Sequence, residues 1–162
     1  MSAAPVMVRK AEQADIPAMV AILETKRVEY QGYEPVFWNK AANSAEIQTG
    51  FFTYLLEQQD RTTMFAAELG GTLKGFLIAT LTPAPPIVDP GGPTATIDDF
   101  HVAHPELWES VGEALIEHAM AHGREQGWRQ IIVVCPHRER AKAGFLADKD
   151  LSLTTEWWTK TL

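Results

Sequence analysis

Apolar and polar residues repeat along the chain with two periods, and the switches between them divide it into elements. VMVRKA (Val6–Ala11) alternates at its start, as a half-buried strand does. From Ile16 the period lengthens: Ile16, Met19, Val20 and Leu23 recur at helical spacing, with Asp15 as an N-cap and Pro17 just inside the first turn. GYEP at 32–35 breaks the pattern. A second helix follows from about Ser44 to Gln58, with Ile47, Phe51, Tyr54 and Leu55 on one face. TTMFAAEL and TLKGFLIATLT read as two antiparallel strands joined at Gly70–Gly71. Pro83–Pro93 is dense in proline and glycine and predicts an irregular loop.

The second half repeats the logic. Thr94–Ala103 is a strand, and a helix from about Leu107 to Gln126 carries Trp108, Val111, Leu115, Ile116, Ala119 and Met120 on its apolar side. Gly127 ends that helix. RQIIVVC reads as a strand covered on both faces, and HRERAKAGFLADKD as a helix. LSLTTEWWTKTL reads as a closing strand or short hairpin, with Trp157 and Trp158 pointing opposite ways and one of them in the core. The order β-α-α-β-β-β-α-β-α-β predicts an α/β (α+β) fold, a mixed sheet with helices on both faces. With 162 residues and no repeats or linkers, residues 1–162 form one expected domain.

Composition narrows the function classes. A net charge of −7 argues against nucleic acid as the main partner and suits a cationic substrate. Cys135 is the single cysteine, so no intramolecular disulfide can form; within IIVVC it reads as a small buried hydrophobe, and a reducing cytoplasm is the expected compartment. MSAAPVMVRKAEQAD lacks the pattern of a secretory signal, and no uncharged apolar run approaches the roughly 20 residues of a spanning helix, so no membrane association is expected.

The candidate chemistry lies in DDFHVAHPELWESVGEAL (Asp98–Leu115). Two adjacent acids in an otherwise apolar strand are costly to bury without partners. Period two places Asp99 and His101 on one face and Asp98 with Phe100 and Val102 on the other. The plainer alternative is an acid that caps a loop amide or pairs with an arginine, and a His101 that is simply hydrogen-bonded. His101 with His104, and His118 with His122, lack a third ligand, and HAMAH lacks the Glu of HExxH, so no metal site is expected.

VRKAEQADIPAMVAIL, FAAELGGTLKGFLIATL and IDDFHVAHPELWESVGEALIEHAMAHGREQGWRQIIVVC, in this order, resemble the opening strand and helix, the central hairpin and the cofactor-binding core of the GNAT N-acetyltransferase superfamily. The resemblance covers nearly the whole chain. It implies a mostly antiparallel GNAT-like sheet, acetyl-CoA as cosubstrate, and a primary amine of a small molecule or peptide as acceptor. That amine attacks directly, assisted by a carboxylate base. Dimers are common in the family, so a homodimer is among its implications.

By resemblance, backbone groups of Phe100, His101 and Val102 pair with the pantetheine arm. Leu107, Trp108, Glu109, Ser110, Val111, Gly112 and Glu113 form the pyrophosphate loop, and the amides of Glu109 to Glu113 face the phosphates, where a helix N-terminus favours negative charge. Asp99 is the first candidate for the base, followed by Asp98 and His101, and Tyr33, Phe37 and Trp38 are candidates for the acceptor pocket. Two departures stand out. Leu107 replaces the usual Arg or Gln, Ser110 the first glycine, and Glu106 and Glu109 add charge that weakens phosphate binding. Leu146 stands where the family places a tyrosine that protonates the departing thiolate. These departures leave open a silent module that binds CoA or an amine. An unrelated hydrolase finds no GxSxG nucleophile motif.

Overall fold

The Gly70–Gly71 turn holds both central residues at positive φ (62° and 76°), as a two-residue hairpin loop between right-twisted strands requires. It joins β2 (Thr62–Leu69) to β3 (Thr72–Thr82). The computed structural model describes residues 5–162. Around that hairpin the strands lie in sequence order: β1 (Val6–Lys10), β2, β3, β4 (Thr94–Val102) and β5 (Gln130–Val133). The first three pairings are antiparallel and β4–β5 is parallel, giving the mixed, mostly antiparallel sheet expected.

Helices cover both faces. On one side α1 (Ile16–Tyr33) and α2 (Ser44–Glu57) bury Ile16, Met19, Leu23 and Phe52 against Met64, Phe76 and Ile78 of the sheet. On the other, α3 (Glu113–Glu125) and α4 (Arg140–Asp148) cover Phe65, Leu77, Ile97, Phe100 and Val102. Each such large side chain removed from water is worth about 1.5–3 kcal/mol. Gly75 lets α3 and the turn before it come close, because a Cβ there would sit 3.1 Å from Leu115 Cδ1 and 2.6 Å from Val111 Cγ1. Asp15 precedes α1, but its carboxylate takes two hydrogen bonds from Arg9 (2.7 and 2.8 Å) and one from the Glu12 amide (2.7 Å) rather than capping α1.

Four expectations need correction. The face predicted for α2 is turned: Phe52 packs on Phe76 and Leu55 is buried, whereas Ile47, Phe51 and Tyr54 are exposed. The helix predicted from Leu107 starts as a 3₁₀ turn (Pro105–Leu107), widens to a π-helical turn (Trp108–Gly112) and becomes α-helical only at Glu113. β5 is covered on one face only, with Ile132 and Val134 exposed, because no helix of the described residues closes its far side. The closing strand does not form: residues 151–162 join no ladder, and both Trp157 (84% exposed) and Trp158 (89%) lie outside the core. Among the described residues, no helix is long and apolar enough to cross a membrane.

Candidate active site

β4 is paired on both edges only for its first half. Thr94–Ile97 run parallel to Gln130–Val133, and the Val134 amide donates to Ile97 O at 3.0 Å. Beyond that point β4 continues beside β3 alone. The Ala103 amide donates to Lys74 O (2.7 Å), so by alternation the backbone of His101 also faces β3. The N–H and C=O groups of Phe100 and Val102 therefore turn to the open edge.

A bulge re-aims the acids. Leu77 pairs with Phe100 and Ala79 with Ile97, so Ile78 stands opposite both Asp98 and Asp99. Strict alternation separates the two carboxylates; the extra residue instead brings both onto the α1–α2 side with His101, while Ile97 and Phe100 point into the α3–α4 core. The three side chains share a cavity of about 440 Å³, walled by the α1–α2 connection and by α2. Phe37 and Trp38 line it, with rings edge to face at 4.8 Å. Tyr33 does not: its hydroxyl bonds Glu29 and its carbonyl accepts from Arg138 (2.9 Å). Tyr30, one turn earlier, takes its place in the wall.

Charge in the cavity is set by burial. His101 is 4% exposed, and burial pushes its pKa down against the pull of Asp99, whose Oδ1 lies 3.7 Å from Nε2. Asp98 is raised, first by desolvation and then by the neighbouring Asp99. Burial and then Glu139 push Tyr30 far above the ordinary phenol range; its hydroxyl donates to Glu139 Oε2 at 2.7 Å, while Lys26 sits 3.3 Å from Oε1. That chain ties α1 to the start of α4. Cys135 is half-buried, and burial raises its thiol to about 11.

Lys142, on α4, also reaches the cavity. It is fully buried, and its Nζ lies 5.6 Å from the Phe100 ring centre and 5.8 Å from that of Trp108. Nζ has no hydrogen-bond partner among the described residues.

The loop before α3 offers fewer amides than its sequence suggests. The Leu107 and Trp108 amides bond within the 3₁₀ turn, and the Glu113 amide reaches Ser110 O and Trp108 O. A helix start leaves its first amides short of intrahelical acceptors, and behind the 3₁₀ turn these belong to Glu109, Ser110 and Val111. Gly112 is not open to a ligand: Trp108 lies over it, and a Cβ there would meet Trp108 Cε3 at 2.6 Å. A cation that sequence reading overlooked stands nearby, since Lys149 of the α4 C-terminus pairs with Glu113. Tyr30, Glu139 and Lys142 were equally absent from the candidates. The one available signal was the spacing of Lys142, Phe145 and Leu146, which puts a cation on the apolar face of α4.

A family model described as Acetyltransferase (GNAT) family matches residues 23–146. No curated protein matches the chain. Among solved structures, a tetramutant of the BH1408 protein from Bacillus halodurans superposes with a TM-score of 0.82 at 13% identity, over 96% of this chain and 99% of that one. A predicted acetyltransferase with acetyl-CoA from Clostridium acetobutylicum gives 0.71 at 16% identity, over 96% of each chain. An aminoglycoside acetyltransferase from an uncultured soil metagenomic sample gives 0.65 at 16%, over 97% of this chain and 96% of that one. At these identities the likeness is one of fold.

Proposed function

The chain belongs to the GNAT family of acetyltransferases and is an acyl-CoA-dependent N-acyltransferase; on that premise we propose that it acetylates a cationic primary amine of a small molecule or peptide, with Asp99 as the base. The observation that carries this reading is the bulge in β4. It sets Asp98, Asp99 and His101 together on the cavity side of β4, where the second half of that strand has left β5 and its edge is open.

Acetyl-CoA fits the residues present. The unpaired backbone groups of Phe100 and Val102 suit the pantetheine amides. The free amides of Glu109, Ser110 and Val111 suit the pyrophosphate, although Glu109 and Glu106 oppose it. When bound, the thioester supplies an activated acetyl group.

The chain's own residues do the rest. Phe37 and Trp38 present apolar and π faces to the acceptor, and the two carboxylates hold its ammonium. Asp99 takes the ammonium proton, exposing the lone pair that attacks. His101, kept neutral by burial, lies beside Asp99 and steadies its charge. Asp98, raised by desolvation and then by Asp99, orients the acceptor. We further propose a cytoplasmic home, which the lone half-buried Cys135 favours, one domain over 1–162, and a homodimer, which the exposed Trp157 and Trp158 favour.

The test is thiol release from acetyl-CoA against a panel of polyamines, aminoglycosides and peptides with free N-termini. Turnover of cationic amines is expected. Binding of acetyl-CoA without thiol release on any amine would overturn the reading in favour of a module that senses CoA.

A further inference from the structure

We propose that Lys142 takes over the work of the tyrosine that Leu146 replaces: its ammonium faces the sulfur of CoA and donates the proton that the thiolate needs on leaving. The inference rests on the acetyl-transfer reading above. Lys142 and Leu146 are four residues apart, on the same buried face of α4. The side chain of Lys142 projects from that face over the ring of Phe100, whose backbone lies at the open edge of β4. It also lines the cavity that holds Asp98, Asp99 and His101. One group thus borders both the acceptor cavity and the strand edge.

A purely structural role accounts poorly for Lys142. A fully buried ammonium without a hydrogen bond costs several kcal/mol, and an apolar side chain of the same length fills the site without that cost. Phe100 and Trp108 offset part of it through their ring faces, both beyond 5.5 Å. Glu139 at the N-cap of its own helix, and Cys135, Asp98, Asp99 and His101 from the neighbouring elements, surround the group, but none accepts a hydrogen bond from it. Burial lowers its pKa, toward a thiol's, which is the match that proton transfer favours. Tyr30, the other candidate acid in the wall, has its proton engaged by Glu139 and is raised away from that range.

The acceptor nitrogen forms the C–N bond, the C–S bond breaks, and the electron pair stays on sulfur. Lys142 Nζ passes one proton to that sulfur, giving the free thiol, and is reprotonated by one of the two protons the acceptor ammonium loses. The other leaves to solvent through Asp99.

The readout is the ionisation of the CoA thiol in the binary complex, followed by thiolate absorbance and by comparing the affinities of CoA and desulfo-CoA between pH 6 and 10. In the wild type the bound thiol should titrate below the free thiol by at least one pH unit, and CoA should gain at least fivefold over desulfo-CoA as pH rises. Lys142→Met, which keeps the packing, should abolish both effects, whereas Tyr30→Phe should keep them. An unshifted thiol in bound wild type, or an equal shift in Lys142→Met, overturns the role of Lys142 and leaves acetyl transfer standing. Failure of the wild type to bind CoA at all overturns both.

Discussion

Replacing Gly112 by alanine separates two explanations of that glycine. If it serves the close approach of a phosphate, a methyl group should weaken CoA binding and leave the fold alone. The structure gives it another task. A Cβ at Gly112 would meet Trp108 Cε3 at 2.6 Å, about 0.8 Å inside the 3.4 Å limit of ordinary contact. The ring cannot swing away easily, since Phe100 holds it edge to face at 4.9 Å and Phe145 lies 5.2 Å behind. Overpacking of this kind costs about 1–3 kcal/mol, while the better helix propensity of alanine returns up to about 1 kcal/mol. A net loss of about 1–2 kcal/mol is expected, equivalent to a fall of about 2–8 °C in Tm for a chain of this size. Trp108→Leu removes the obstacle. In that background Gly112→Ala should become neutral or stabilising, so the double-mutant cycle should show a coupling of at least about 1 kcal/mol. Chemical denaturation of the four proteins measures it. Additive effects, with a CoA affinity that falls whether or not Trp108 is present, would refute the packing explanation.

Three further outcomes follow from the same geometry. Glu109→Gln, which removes a carboxylate from the free amides before α3, should tighten CoA by roughly two- to threefold at low salt, and 0.5 M salt should erase the gain. Phe37→Ala should raise the KM for the acceptor severalfold in steady-state assays and leave the Kd for acetyl-CoA unchanged. Burial alone would raise Glu24, but hydrogen bonds from Lys40, Ser44 and Arg27 outweigh it and hold the carboxyl at about 2. A depressed carboxylate stabilises the fold above its ordinary pKa of 4.5 and ceases to do so as pH falls through about 2. Urea denaturation should therefore show Glu24→Gln less stable by about 1–2 kcal/mol at pH 7, allowing for solvent screening, with the gap closing between pH 5 and 2.

Periodicity and turn chemistry made the fold legible. The hairpin at Gly70–Gly71, the amphipathic α1, the extent of α2 and the order of the elements up to α4 are local properties of the chain; which face of α2 is buried was not, since Phe52 packs inward and Ile47, Phe51 and Tyr54 do not. What escaped depends on contacts between distant segments. Alternation placed Asp98 away from Asp99 because a bulge depends on the partner strand, and Ile78 lies twenty residues upstream. Tyr30 and Glu139, 109 residues apart, meet only once α1 and α4 are in place. Gly112 looked like a phosphate glycine because its spacing matched; its neighbour Trp108 explains it through packing. The tail from Leu151 has the composition of a strand, yet strand formation needs a partner edge, which composition cannot supply.

The proposed reaction turns on Asp99 as the base beneath the acceptor. The most direct measurement is the pH dependence of kcat/KM for the acceptor at saturating acetyl-CoA, in the wild type and in Asp99→Asn. Loss of the base should lower kcat/KM by about 10²–10⁴-fold, most at low pH, where nearly all the amine is protonated, with the deficit narrowing as alkaline pH supplies free amine. A pH profile of unchanged shape and height in Asp99→Asn would contradict the account.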